Sequence, residues 1–214
     1  MFKTLLKVFF SLLILISCSN NSVNKLSMSD FGELPNGEVV KKFKLTNSNG
    51  LSMEVINYGA IITNFYVPDS SGSLKDVVLG FNDFNNYYEN NPYFGAIIGR
   101  YGNRISNGTF LLDGVRYKLE QNNGPNSLHG GLVGFDKVFW KFINKKSNNQ
   151  SLYFEYHSKD MEEGFPGNLV VGVEYILNDF NELKIKYTAS TDKKTIINLT
   201  QHSYFNLSGE SSGD

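Results

Sequence analysis

The chain has 214 residues and a formal charge of −1 at pH 7. That balance excludes the basic footprint of a nucleic-acid binder and the acidic or basic tail of a polyelectrolyte partner, so a neutral ligand is the simplest expectation. The length suits one sizeable domain, and the 14% aromatic content, with 17 Phe and 12 Tyr, suits strands and planar ligand-facing surfaces.

The amino terminus reads as an export signal. Residues 1–7 carry Lys3 and Lys7, residues 8–16 are largely apolar, and Leu15-Ile16-Ser17-Cys18 follows. This resembles a bacterial lipoprotein signal: residues 1–17 are cut away and Cys18 carries the lipid. The apolar run is too short for an ordinary membrane span, so the expected chain is exported and lipid-anchored on the periplasmic or cell-surface side. Cys18 is the only cysteine, which excludes an internal disulfide. Residues 18–30, rich in Ser and Asn, are expected to form a solvated tether.

From Glu38 onward short strands and turn signals alternate, and no convincing helix appears. Residues 39–47 and 51–57 form a predicted hairpin across Ser48-Asn49-Gly50. Residues 60–67 and 76–80 continue as strands, and residues 82–92 read as a surface loop with at most one helical turn. Residues 93–102 are apolar and studded with Gly95, Gly99 and Gly102, which points to close backbone approach or positive φ. No GxGxxG or P-loop lysine accompanies them, so nucleotide binding has little support. Residues 109–113 and 115–121 flank Asp113-Gly114, a strong hairpin signal. Residues 137–145 pair with 151–158, and 169–177, 183–190 and 195–201 follow. Roughly a dozen strands without intervening helices predict an all-β, antiparallel sandwich or barrel.

Two histidines stand out. His202 lies in residues 198–209, a run of β-branched, aromatic and amide residues that predicts a strand ending at Ser208-Gly209. Alternation then places Thr200, His202 and Tyr204 on one face and Gln201, Ser203 and Phe205 on the other. An imidazole beside a hydroxyl and a phenol can exchange protons near neutral pH; taken alone it is more often a core histidine bonded to a carbonyl. His129 lies in Asn122-Asn123-Gly124-Pro125-Asn126-Ser127-Leu128-His129-Gly130-Gly131, where Pro125 fixes φ and the glycines free it. It is expected at the lip of a sheet, with Phe135, Asp136, Lys137 and Trp140 nearby as an aromatic platform and charges. His157 matches no pattern and is expected to be structural or exposed.

Several motifs in one order carry a resemblance: Tyr58-Gly59-Ala60, Asp76-Val77-Val78-Leu79-Gly80-Phe81, Gly99-Arg100-Tyr101-Gly102-Asn103-Arg104-Ile105, Leu112-Asp113-Gly114, Leu128-His129-Gly130-Gly131, Gly134-Phe135-Asp136-Lys137, Glu163-Gly164-Phe165-Pro166-Gly167 and the His202 run. Over residues 30–214 the chain resembles the aldose 1-epimerase (galactose mutarotase) family. The resemblance implies a galactose-mutarotase-like super-β-sandwich that binds a free hexose and interconverts its α and β anomers without metal or organic cofactor. It implies His202 as the general acid at the ring oxygen and His129 as a second pocket histidine that assists. It implies Asn103 and Arg104 as ligands of sugar hydroxyls, with Tyr204 beside the acid and Trp140 or Phe135 available to cover the apolar sugar face. Gln201 stands where many members have Asn, and Met161 where Gly often precedes the Glu-Glu-Gly-Phe-Pro-Gly loop.

The family's base is a glutamate nearer the carboxyl terminus, with a sugar-binding aspartate before it. Glu162, Glu163 and Glu210 match neither, so residues 31–214 are expected to be the amino-terminal part of such a domain, its carboxyl-terminal part missing, and inactive alone. A non-catalytic carbohydrate-binding lipoprotein is the alternative. A hexose-6-phosphate epimerase would want an Arg or Lys cluster at the sugar's C6 end, which is not identified. A zinc site from His129 and His202 lacks a third ligand at sensible spacing.

Overall fold

The computed structural model describes residues 25–90 and 92–213. The expected signal segment and Cys18 lie outside them, as does the first part of the tether. Its second part is not a tether: Lys25–Glu33 form strand β1, which pairs antiparallel with β2 (Val39–Thr46). With β3 (Ser52–Ile56), β4 (Ile62–Pro68) and β5 (Leu74–Asp76) they make a five-stranded sheet in sequential order.

The short strands β6 (Ile97–Ile98), β7 (Arg104–Ile105), β8 (Thr109–Leu112), β9 (Val115–Lys118) and β10 (Ser127–Leu128) follow. The hairpin of β8 and β9 turns through Asp113 (φ 50°) and Gly114 (φ 80°), two positive φ values that match the right-handed twist of its strands. Then β11 (Lys141–Phe142), β12 (Ser151–Ser158), β13 (Leu169–Leu177) and β14 (Leu183–Thr191) form a four-stranded antiparallel sheet. The last strand, β15 (Thr200–Gln201), pairs with β6.

The two larger sheets share one core. Phe43, Leu45, Met53, Val55 and Ile62 from the first meet Leu152, Phe154, Val171, Val173 and Tyr175 from the second, all buried. The alternation on β2 and β13 reflects this: inward residues are apolar, outward ones polar or half-exposed. Buried Tyr175 spans the layers and donates its hydroxyl to the Ala60 carbonyl at 2.6 Å. The architecture is the expected all-β sandwich.

Some predicted elements differ. Residues 84–90 form a two-turn helix α1 (Phe84–Asn90) rather than a loop. Asp83 caps it, accepting the Asn85 N–H at 2.7 Å, and Phe84 and Tyr87, three apart, bury one face. The strand foreseen over 76–80 ends at Asp76, whose carboxylate takes the Phe65 and Val78 N–H groups. Residues 137–145 contain only β11, between single 3-10 turns at Phe135–Lys137 and Asn144–Lys146. The strand foreseen over 198–209 is only β15. The Gln201 side chain donates to the Gly95 carbonyl and accepts from Ser203 N–H, and beyond it only the backbone bonds of His202 to Ala96 and Gly95 continue along that ribbon.

Candidate active site

The site is built on one ribbon, residues 93–105, which is bonded along both of its flanks. Toward the carboxyl-terminal segment, Ile98 pairs with Thr200 and Ile97 with Gln201. His202 N–H then donates to Ala96 O at 2.9 Å, while Gly95 N–H donates to His202 O at 3.2 Å. Toward the other segment, Arg104 pairs with Leu128. His129 N–H donates to Asn103 O at 3.0 Å, and Asn103 N–H donates to His129 Nδ1 at 2.9 Å. Two histidines 73 positions apart in sequence are thus tied to one ribbon, and their ring centroids lie 5.1 Å apart, nearly perpendicular at 86°.

The close approach of backbones explains the glycines. A Cβ on Gly95 would stand 2.0 Å from Ile62 O, and one on Gly130 (φ 97°) would stand 1.8 Å from Gly99 O. Asn103 (φ 66°) and His129 (φ 53°) themselves occupy the left-handed region. Asparagine and histidine tolerate it better than most residues, and the reciprocal Asn103–His129 bonds hold them there.

The Asn103 bond also sets the chemistry of His129. With Nδ1 accepting, the neutral ring carries its proton on Nε2 and presents it as a donor. Burial pushes the His129 pKa down to about 4, and the neighbouring His202, Arg104 and Lys137 charges add to that. His129 is therefore neutral at physiological pH. His202 is half-buried, its ring set against those of His129, Tyr93 and Tyr204. Arg104 is exposed; its Nε donates to Asn123 Oδ1 (3.0 Å) and its Nη1 to Asn103 Oδ1 (3.1 Å), leaving the rest of the fork open. Tyr204 is 45% exposed with its ring 5.2 Å from that of His202, and Gln201 and Ser203 bond each other away from it. His202 and Tyr204 thus lie together, as do Gln201 and Ser203, although the strand stops at Gln201.

The expected aromatic platform does not form. Trp140 is fully buried and Phe135 nearly so, packed edge to face in the core, with the indole N–H donated to Phe135 O at 3.0 Å. Their apolar area is worth more inside than against solvent. The aromatic ring at the site is Tyr93, which the sequence reading passed over. It lies 4.7 Å from the His129 ring and 5.7 Å from the His202 ring, and the Lys137 ammonium sits 5.4 Å from its centroid. Lys137 is paired with buried Asp136 at 2.9 Å. A tyrosine at φ 68° carries no mark in the sequence.

The loop over 158–167 supports the His129 segment. Buried Arg100 donates to Ser158 Oγ and to the carbonyls of Ser158, Lys159 and Pro166. Glu163 reaches from this loop to accept the Leu132 and Val133 N–H groups at 2.7 and 3.0 Å, just beyond Gly130-Gly131. Glu162 accepts from Ser158 Oγ and the Tyr156 hydroxyl. Both glutamates are committed to structure. Met161 adopts φ 65°, the region where glycine costs least, which accounts for the preference at that loop edge. His157 is exposed and bonded to Glu155 at 2.9 Å. Among the described residues no group of three or more His, Cys, Asp or Glu is arranged to hold a metal ion.

The family model for aldose 1-epimerase matches residues 41–214. The chain belongs to the aldose 1-epimerase family. Within that family it is 48% identical over 188 residues to a galactose mutarotase of Sus scrofa, covering 87% of this chain and 54% of the relative. It is 39% identical over 178 residues to an aldose 1-epimerase of Escherichia coli (strain K12), covering 83% and 51%. Among solved structures, a galactose 1-epimerase from Lactobacillus acidophilus NCFM superposes with a TM-score of 0.76 at 27% identity, covering 86% of this chain and 54% of that one. An aldose epimerase homologue from C. elegans gives 0.73 at 33% identity, covering 77% and 50%. This epimerase-family chain spans about half the length of the curated relatives it matches.

Proposed function

We propose that this chain supplies the histidine half of an aldose 1-epimerase site acting on a free hexose such as glucose or galactose. In the reaction a base removes the proton from the anomeric hydroxyl, and the C1–O1 bond becomes a carbonyl as the C1–O5 bond breaks. His202, as its imidazolium, delivers a proton to O5. After rotation about C1–C2 the ring recloses with both transfers reversed. His129 donates from Nε2 to a sugar oxygen, Asn103 and Arg104 hold neighbouring hydroxyls, and Tyr204 lines the acid. The observation that carries the reading is the pair of imidazoles 5.1 Å apart, one of them pinned as a neutral donor. Each acid or base group contributes about 10²–10⁴ in rate.

The base is proposed to come from a segment that the longer relatives have and this sequence does not span. Glu162 and Glu163 are tied into hydrogen bonds and do not serve. Polarimetry of galactose with the 214-residue chain alone is therefore expected to show no acceleration of anomer exchange, while galactose shifts the NMR signals of both histidine rings. Acceleration would contradict the missing base, and unmoved histidine signals at saturating sugar would contradict the site. We also propose that the chain is exported and lipid-anchored through Cys18, on the strength of the residues 1–18 pattern. Fatty-acid labelling that survives Cys18→Ser would overturn this.

A further inference from the structure

A hollow with a volume of about 480 Å³, within the size range of small-molecule sites, opens beside Lys137. Tyr58, Tyr88, Phe139, Asn36, Glu38 and Lys137 are among the residues that line it. Tyr58 is 4% exposed and lines the hollow. Tyr88 is 45% exposed and its ring lies 6.2 Å from that of Tyr58, so one aromatic face is offered at the rim and a hydroxyl inside.

The polar groups are both donors and acceptors. Asn36 spends its side-chain oxygen on the Glu38 N–H at 3.0 Å and keeps its NH₂. The Glu38 carboxylate is in no ion pair among the described residues, and Lys137, paired with Asp136, brings the opposite charge. Asp136 already matches the Lys137 charge, so Glu38 leaves the hollow with an unspent carboxylate acceptor, which disfavours an anion as occupant and suits hydroxyl donors. An aromatic face with a ring of donors and acceptors suits a flat neutral polyol, whose C–H face stacks and whose hydroxyls bond at the edge.

We infer that this hollow is a second carbohydrate site, taking one neutral pyranose with its apolar face on Tyr88 and its hydroxyls on Tyr58, Asn36 and Glu38. It is separate from the imidazole pair and does not rest on the proposed catalysis. Lys137 stands between them, lining the hollow while its ammonium lies over Tyr93.

The test uses methyl α-D-glucopyranoside, whose blocked anomeric oxygen prevents ring opening, titrated into the 214-residue chain by calorimetry. Saturable binding with a Kd on the order of 1–10 mM is expected. His202→Ala should leave it unchanged, whereas Tyr88→Ala and Glu38→Gln, both at exposed positions, should each weaken it about tenfold. Tyr58→Phe, which removes only the hydroxyl, should weaken it several-fold. Absence of saturation up to about ten times that range, equal affinity in Tyr88→Ala and Glu38→Gln, or loss of binding in His202→Ala would each overturn the assignment. Failure of the catalytic reading, seen as histidine signals that galactose leaves unmoved, would not touch it.

Discussion

Arg100→Ala is expected to destabilise the fold by about 3–5 kcal/mol, the range found when one partner of a buried charged network is removed. Arg100 is 2% exposed and donates to Ser158 Oγ at 2.8 Å, Pro166 O at 3.0 Å, Ser158 O at 3.2 Å and Lys159 O at 2.7 Å. Its removal takes a donor from three carbonyls, of which Lys159 O keeps the Glu162 N–H, and unties the loop that carries Glu163. Burial lowers the Arg100 pKa, but a guanidinium keeps its proton at any pH where the protein folds. Lysine retains the charge without the planar fork, so Arg100→Lys should recover only part of the loss. Urea denaturation with matched m-values measures both variants. A change below about 1 kcal/mol for the alanine would mean that water replaces the guanidinium and that the loop stands without it.

Gly130→Ala is expected to act on the site at least as strongly. The added Cβ would meet Gly99 O at 1.8 Å and Gly99 C at 2.6 Å, which are backbone atoms of the ribbon on which both histidines hang. No rotamer relieves a clash between Cβ and backbone, and φ 97° is itself unfavourable for alanine. Either the chain loses several kcal/mol or the segment 129–133 moves and carries His129 away from His202. Gly114→Ala is the control. It has φ 80° and nothing within 4 Å, so only the left-handed backbone term of about 1–2 kcal/mol applies. Thermal unfolding of the two variants should therefore separate them clearly. Equal losses would mean that the Gly99–Gly130 approach is looser than described.

How far the sequence foretold this structure depends on whether the deciding force was local. The Asp113-Gly114 turn and the long strands β12, β13 and β14 follow from turn chemistry and from alternation, both of which are read within a few residues. β13 spans the range expected of it, and it pairs with β14 over nine positions from Leu169↔Thr191 to Leu177↔Leu183 without a bulge. The short helix was missed because Tyr87, Tyr88 and the asparagines around them suggest a loop. Its real signals are the Asp83 cap and the spacing of Phe84 and Tyr87. The strand around His202 was overextended because propensity does not register a Gln201 side chain that captures the Gly95 carbonyl, 106 residues away. Trp140 and Phe135 look like ligand platforms by composition, and only packing between the two sheets buries them. The histidines were found through the motifs around them. Tyr93 and the Glu163 brace were not, because their roles exist only once three distant segments lie together.

The account depends most on the convergence of His129 and His202. Nuclear Overhauser spectra of the 214-residue chain with labelled histidine rings, recorded through a pH titration, test it directly. Cross-peaks between the two imidazoles, and from each of them to Tyr93, are predicted from the centroid distances of 5.1, 4.7 and 5.7 Å. His129 should stay neutral until the pH approaches its depressed value of about 4, well below the ordinary imidazole near 6.5. Two rings without mutual cross-peaks, with His129 titrating as an ordinary surface histidine, would contradict the shared site.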